Sequence, residues 1–186
     1  MMEEAAAYAF EQAILFCTSL GLGTCWLGGS FSRKDFSDPV KLQPNEILRI
    51  VSPVGYINPK IRFTETLLGT KGKHLSRKPF ETLFFYEDFN TPLTKKTAGI
   101  YEKPLEMVRI APSANNQQTW RIVLAENSLH FYQHLSKIGF NAIDLGIALC
   151  HFEQTCKELN IAGTFKVLYN EAPEKKGEKY VISWIA

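Results

Sequence analysis

The sequence lacks a strong charge of either sign and lacks a long uninterrupted apolar run. It has 21 lysines and arginines against 19 aspartates and glutamates, which leaves a formal net charge of +2. A charge this small and evenly spread does not favour binding to nucleic acid or to a membrane surface. The apolar segment 5–20 is interrupted by Glu11 and Gln12 and is too short to span a bilayer comfortably. We therefore expect neither a nucleic-acid-binding protein nor a membrane protein.

Cysteine is scarce and carries no pairing motif. The four cysteines are Cys17, Cys25, Cys150 and Cys156, and none forms a Cys-x-x-Cys pair. Each lies among apolar neighbours, so we expect free thiols packed in a core rather than disulfides or metal ligands. The acidic start of the sequence argues against a signal peptide, and the expected location is the cytoplasm.

Residues for acid–base, nucleophilic or metal chemistry are also not evident. Ser113 lies outside a Gly-x-Ser-x-Gly motif and has no obvious paired base, which argues against acyl transfer. His130 and His134 lie on a predicted strand whose geometry would separate them, so a metal site is not expected. We name no catalytic residue and no metal ligand from the sequence.

The hydrophobic pattern predicts a globular α+β fold. A chain of 186 residues, of which 45% are hydrophobic, can bury a core without disulfides. Two long apolar segments without breakers, 4–20 and 142–159, predict buried helices, and Gly21 lies where the first would end in a left-handed cap. The other predicted elements are helices at 31–40 and 99–110 and strands at 46–52, 120–125, 129–133, 164–169 and 179–185. The mixture predicts helices packed on a mainly antiparallel sheet.

The two long helices suggest an internal repeat. When Leu20-Gly21-Leu22 is placed over Leu159-Asn160-Ile161, Cys17 falls on Cys156 and Trp26 on Phe165. A strand follows each helix later in the sequence. We therefore predict one domain over residues 1–186, with an incomplete first half-repeat at about 4–85 and a second at about 99–186, so that the chain resembles a dimer folded from one polypeptide.

A polar turn follows the predicted helix 99–110. Pro112 disfavours a helical conformation for the residue before it, and Ser113-Ala114-Asn115-Asn116-Gln117-Gln118 comes next. Amide side chains offer donors and acceptors that suit the edge of a flavin or another heterocycle. The same side chains could instead satisfy backbone groups where a helix ends. The residues alone leave both interpretations open.

A glycine-rich segment follows the first long helix. It reads Gly21-Leu22-Gly23-Thr24-Cys25-Trp26-Leu27-Gly28-Gly29, and it is not a dinucleotide fingerprint, because Trp26 stands where the third glycine would be. Capping explains Gly21. The pair Gly28-Gly29 would allow a close approach of the backbone to something flat, but the segment alone decides nothing.

Taken together, these segments resemble the flavin-edge segments of the nitroreductase family. Residues 109–120, with Pro112, Ser113 and Trp120, are similar to the family's "APSxxNxQPW" segment, except that Thr119 replaces the usual proline. Residues 19–29 are similar to the segment after the family's central helix, and residues 144–151 to that helix. Arg77-Lys78-Pro79 is similar to its R-x-P element. The order of the segments, glycine segment first, most resembles the TM-type branch.

The resemblance implies a nitroreductase-like α/β/α arrangement that binds FMN. The implied cofactor-binding residues are Leu27, Gly28, Gly29, Arg77, Pro112, Ser113, Ala114, Asn116 and Gln118. Residues 27–29 would follow the redox edge of the flavin, the turn residues would contact its ring, and Arg77 would approach its phosphate. The implied reaction is hydride transfer from NAD(P)H to flavin N5 and on to a nitroaromatic or quinone-type acceptor. A homodimer is compatible with this resemblance.

The sequence departs from the family at its front. The Arg-Arg-Ser-x-Arg element that holds the FMN phosphate, and the asparagine-bearing segment after it, are absent. Loss of two or three charge-assisted bonds of roughly 1.5–3 kcal/mol each would weaken FMN binding by orders of magnitude. The alternatives to an FMN enzyme are therefore a non-catalytic module that binds flavin or another small molecule, and a truncated, cofactor-free relative.

Overall fold

The computed structural model describes residues 1–29, 31–58, 76–137, 139–168 and 172–186. They divide into two compact units, a large unit of Met1–Gln12 and Phe63–Ala186 and a small unit of Ala13–Arg62. The helices are α1 (Met2–Ser19), α2 (Arg33–Val40), α3 (Glu102–Ile110) and α4 (Asn141–Glu158). The strands are β1 (Gly23–Thr24), β2 (Val54–Gly55), β3 (Phe84–Tyr86), β4 (Trp120–Ala125), β5 (Ser128–His134), β6 (Thr164–Lys166) and β7 (Glu178–Ile185).

A five-stranded sheet organises the large unit. Its strand order is β3-β4-β5-β7-β6. β3 pairs with β4 in parallel, and the other neighbours are antiparallel. β4 and β5 form a hairpin in which Ala125 pairs with Ser128, and Glu126 in the turn takes a left-handed φ of 50°. The predicted α+β fold with a mainly antiparallel sheet is confirmed.

Each face of this sheet buries aromatic side chains. Towards α4, Phe152 packs edge-to-face on Phe131 at 5.2 Å and on Trp184 at 5.4 Å between ring centroids. On the opposite face, the ring of Tyr132 packs at 4.8 Å from that of Phe89. Edge-to-face rings add to the hydrophobic stabilisation. These ring contacts pack α4 against the strands β5 and β7.

The two long helices differ in burial. α4 buries residues on every side, including Leu145, Ala148 and Phe152, as predicted for a core helix. α1 buries one stripe, Glu4, Ala7, Glu11 and Ile14, whereas Phe16 is 64% exposed. The expectation of burial on all sides therefore holds for α4 and not for α1.

Polar pairs and a glycine hold α1 against the rest of the large unit. Gln133 Nε2 donates to Glu4 Oε1 at 2.6 Å, and His151 Nε2 lies 2.7 Å from Glu11 Oε1. A Cβ atom on Gly146 of α4 would lie 2.7 Å from Ala7 Cβ and would clash with the carbonyl oxygen of Glu4. The backbones of α1 and α4 can approach this closely only because residue 146 has no side chain.

The small unit corrects one predicted strand. Residues 46–50 are not in a strand, and within 46–52 only Val51 forms a bridge, with Leu27. The guanidinium of Arg33 donates to the carbonyl of Leu48, so a side chain takes the place of a neighbouring strand. The strand that does form is β2, which pairs with β1. It begins just after Pro53, where the sequence predicts that a strand ends.

All four cysteines are free, and two of them meet the expectation of core thiols. Cys150 and Cys156 are buried in α4, and burial raises the pKa of each thiol to about 12. Cys17 is partly buried, and Cys25 is exposed, contrary to expectation. Among the described residues there is no cluster of three or more His, Cys, Asp or Glu side chains placed to hold a metal ion. No helix in the described ranges has the length and apolarity that a membrane crossing requires.

Candidate functional site

The candidate site begins where α3 ends. Ala111, which precedes Pro112, leaves the helix with φ −55° and ψ 150°. Proline disfavours the helical conformation in the residue before it, so the sequence itself ends α3 here. Ser113 then continues in an extended conformation and leads into a 3-10 turn at Ala114–Asn116. The predicted helix end is confirmed.

The turn from Ser113 to Gln118 contains three residues with a left-handed backbone. Their φ angles are 49° at Asn115, 55° at Asn116 and 48° at Gln118. This region costs an ordinary L residue roughly 1–2 kcal/mol, and asparagine enters it more readily than most. Three such residues within four positions persist only when surrounding contacts hold them.

The turn's own groups supply part of that support. Ser113 Oγ accepts a hydrogen bond from the Gln118 N–H at 2.9 Å. The Asn116 N–H donates to the Ser113 carbonyl, and the Gln117 N–H to the Ala114 carbonyl, each at 3.0 Å. The hydroxyl of Ser113 therefore closes the turn.

A buried carboxylate on α4 supplies further support. Asp144 is 2% exposed. Its Oδ1 accepts the Ala114 N–H at 2.8 Å, and its Oδ2 accepts the Thr119 hydroxyl at 2.9 Å. Burial raises the pKa of Asp144 from 3.8 to about 6, although the two hydrogen bonds act in the opposite direction.

Three cationic side chains donate to backbone carbonyls of the turn and its flanks, and a fourth, Arg109, lies beside them. Arg77 Nη2 donates to the Ile110 carbonyl at 3.0 Å, and Lys78 Nζ to the Gln117 carbonyl at 2.5 Å. Arg121 Nη1 donates to the Gln118 carbonyl at 3.1 Å. Arg109 donates to the Lys78 carbonyl at 3.3 Å and pairs with Glu106.

Burial and mutual repulsion lower the pKa of two of these cations. The pKa of Arg77 is lowered first by burial and then by the charge of Arg109. The pKa of Lys78 is lowered by burial and by Arg121. An anion near the turn would be stabilised by these charges and would relieve their repulsion.

Two amide side chains predicted to contact the cofactor are bonded within the protein. Gln118 is fully buried; its Oε1 accepts the Lys78 N–H at 2.7 Å and its Nε2 donates to the Arg109 carbonyl at 2.7 Å. Asn116 accepts from Arg77 at 3.0 Å and donates to the Ser76 carbonyl. Asn115 is exposed, and Pro112, Ser113 and Ala114 are partly exposed. Asn116 and Gln117 are also partly exposed, so the accessible surface of the turn comprises residues 112–117.

The glycine segment lies in the small unit. The backbones of Leu27 and Val51 exchange hydrogen bonds of 2.9 and 3.0 Å, and the Gly28 carbonyl accepts from Arg33 at 3.3 Å. Gly29 is exposed, and a Cβ atom added to it would have no neighbour within 4 Å. The role of these three residues at a flavin edge stays a prediction.

Six of the nine predicted residues therefore gather at one turn of the large unit, namely Arg77, Pro112, Ser113, Ala114, Asn116 and Gln118. Sequence reasoning missed three side chains that bond to this turn and its flank: Lys78, Arg121 and Asp144. Asp144 had a visible signal, since it is the single carboxylate in the apolar first half of α4. The partners of Lys78 and Arg121 are backbone carbonyls, for which a sequence carries no signal.

Comparison with protein families finds a match to the family described as "Putative TM nitroreductase" over residues 1–156. The chain belongs to this nitroreductase family. Its structure is similar to the crystal structure of a putative nitroreductase from Thermotoga maritima, with a TM-score of 0.58 and 22% sequence identity. The match covers 96% of this chain and 62% of that one, so the chain spans less than two thirds of the length of that nitroreductase. At this identity the likeness concerns the fold. Comparison with curated proteins finds no match.

Proposed function

We propose that this chain is an FMN-dependent oxidoreductase that takes hydride from NAD(P)H and reduces a nitroaromatic or quinone-type acceptor. The observation that carries the proposal is the match of residues 1–156 to a nitroreductase family. The turn that carries the family resemblance is an ordered feature of the large unit, supported from several directions.

The chemistry of the large unit fits a flavin mononucleotide. Residues 112–115 present a partly exposed, preformed surface, which suits a flat ring because little order has to be gained on binding. Arg77 and Lys78 supply positive charge beside that surface for a phosphate group. When bound, FMN would supply the redox chemistry by accepting and passing on two electrons and a proton.

The protein's own residues would bind and orient the cofactor. We assign Pro112, Ser113 and Ala114 to the ring surface and Arg77 to the phosphate. Asn116 and Gln118 would support this surface without contacting the ring. Their side-chain amides bond to the Arg77 side chain and to the backbones of Lys78 and Arg109. Leu27, Gly28 and Gly29 are proposed for the redox edge on the resemblance of their segment. No acid–base pair is required for hydride transfer.

The same family membership supports a homodimer as the working state. α1 displays apolar residues outward at heptad spacing, at Met2, Ala6, Ala9, Ala13 and Phe16. A second copy of this stripe is a chemically matched partner, since a two-fold interface pairs a surface with itself. Size-exclusion chromatography with light scattering would give twice the chain mass, and Phe16→Glu would return the monomer.

The visible absorption spectrum of the purified protein tests the proposed function. The spectrum is recorded as purified, and again after addition of FMN and dialysis. A retained flavin band followed by oxidation of NADH or NADPH supports the proposed reaction. A retained band without turnover, with nitroaromatic and quinone acceptors both present, identifies a flavin-binding module instead. Absence of any retained flavin contradicts the proposal and leaves a cofactor-free relative.

A further inference from the structure

Asp144 joins the two ends of the candidate turn to α4. Ala114 lies before the left-handed residues Asn115 and Asn116, and Thr119 lies after Gln118. One oxygen of the carboxylate accepts from each end, at 2.8 and 2.9 Å. A single side chain thus bridges the turn from inside.

The bridge is placed on a rigid element. Asp144 lies in the first turn of α4, where a carboxylate is favoured by the helix dipole. Its neighbours Ile143 and Leu145 are buried with it. The packing of α4 on the sheet therefore determines where the carboxylate lies. The hydrogen bonds of the carboxylate in turn hold the candidate turn in place.

The turn depends on such support for its shape. Its left-handed residues are not glycines, so the unsupported chain would favour other conformations. Removing one partner of a buried hydrogen bond also leaves the other unsatisfied. The groups left without a partner would be the Ala114 N–H and the Thr119 hydroxyl.

We propose that Asp144 is a positioning residue, which holds residues 112–115 in the conformation that binds the flavin ring. This inference rests on the proposed function for its ligand, but the hydrogen bonds exist in the protein without one. Asp144 does not touch the ring in this proposal. It acts through the Ala114 N–H and the Thr119 hydroxyl.

The experiment compares three variants with the unchanged protein. Asp144→Ala removes both acceptors, Thr119→Val removes one donor, and Asp144→Asn keeps an acceptor for Ala114 and can donate to the Thr119 oxygen. The matched control is Asp88→Ala, since Asp88 is an exposed aspartate that accepts the N–H groups of Asn90 and Thr91 in a surface loop. FMN affinity is measured by quenching of flavin fluorescence. Hydrogen exchange of the Ala114 amide is measured without FMN.

We expect Asp144→Ala to weaken FMN binding about tenfold or more and to accelerate Ala114 exchange similarly, as loss of charge-assisted bonds predicts. Asp144→Asn is expected to restore both values to within about threefold of those of the unchanged protein, because its amide can bond to both partners. The FMN affinity and Ala114 exchange of Thr119→Val should lie between those of Asp144→Ala and Asp144→Asn. Both values of Asp88→Ala should match those of the unchanged protein. A folded Asp144→Ala variant with unaltered affinity and unaltered exchange overturns the proposal.

The two remaining outcomes are also decisive. If the unchanged protein binds no FMN, the proposed function fails. The rate of Ala114 exchange in Asp144→Ala, compared with that in the unchanged protein, still tests whether Asp144 holds the turn. If Asp144→Ala does not fold, FMN affinity and Ala114 exchange of Thr119→Val test the proposal instead. Unchanged affinity and exchange in that variant overturn the role of the bridge, whereas weaker FMN binding with faster Ala114 exchange supports it.

Discussion

At the scale of single residues, the burial of Asp144 has a thermodynamic consequence. Its pKa rises from 3.8 to about 6 because burial penalises the charged form more than the Ala114 and Thr119 hydrogen bonds favour it. Between these two values, the folded protein retains a proton that the unfolded chain has released. Asp144 therefore stabilises the fold more at low pH than at neutral pH.

We predict that this contribution is fully present below pH 4 and is lost as the pH rises through 6. The difference amounts to about 3 kcal/mol, because one pKa unit corresponds to roughly 1.4 kcal/mol. Urea unfolding of the unchanged protein and of Asp144→Asn is measured from pH 4 to pH 8. The difference between their free energies of unfolding gives the contribution of Asp144, since the other groups titrate alike in both proteins. Stability curves that run parallel over this range would show that the carboxyl group does not titrate as inferred.

A second prediction at this scale concerns Asn115, which is exposed with a φ of 49°. Asn115→Val should lower the free energy of unfolding by roughly 1–2 kcal/mol, because a β-branched residue is strongly disfavoured in the left-handed region. Asn115→Gly is the matched control and should be tolerated, since glycine enters that region freely. Chemical denaturation of both variants measures the difference. Equal destabilisation by valine and glycine would mean that the side chain of Asn115, and not its backbone, matters.

The sequence predicts where the candidate turn begins, but it does not predict the bonding of every residue in the turn. Pro112 determines where α3 ends through its immediate neighbour, so the sequence indicates the turn directly. What Gln118 does was not predictable, because its partners are the backbone of Lys78 and Arg109. Lys78 is 40 residues from Gln118 in the sequence, so only the tertiary structure brings the two together. The amide-rich motif therefore indicates where the candidate turn lies in the sequence. The tertiary structure determines which of its side-chain atoms are exposed and which are bonded within the protein.

At the scale of elements, the contact between α1 and α4 is determined by Gly146. A methyl group there would meet the backbone of α1, which cannot move aside as a side-chain tip can. We predict that Gly146→Ala lowers the free energy of unfolding by about 1–3 kcal/mol, as overpacking does elsewhere, despite the better helix propensity of alanine. Thermal unfolding compared with Gly55→Ala, at a position with no neighbour within 4 Å, tests this. An unchanged or higher midpoint for Gly146→Ala would contradict the close approach.

Local pattern predicted some elements and failed for others. β4 and β5 are short apolar runs with a polar turn between them, and α4 is long and free of breakers, so local pattern sufficed. The segment 46–52 has strand-like residues, but most of it has no neighbouring strand to pair with, and the Leu48 carbonyl bonds to Arg33 instead. A strand needs a partner, and a partner is a property of the whole fold.

At the scale of the whole molecule, binding of FMN should raise thermal stability. A ligand that binds only the folded state stabilises it by about 2.7 kcal/mol at one hundred times its Kd. For a chain of this length we predict a rise of roughly 5–10 °C in Tm. Riboflavin lacks the phosphate and should produce a smaller shift, because Arg77 and Lys78 would have no anion to bind. Equal shifts with FMN and riboflavin would remove the phosphate role of these two residues.

The sheet of the large unit ends on each side in a strand of three residues, β3 and β6. The long strands β4, β5 and β7 lie inside the sheet, although β6 pairs with only Ser183, Trp184 and Ile185 of β7. An edge this short offers few free N–H and C=O groups for a strand from another molecule. Among the described strands of this sheet, the order therefore places the longest ones between neighbours, which lowers the risk of edge-to-edge aggregation of the folded unit.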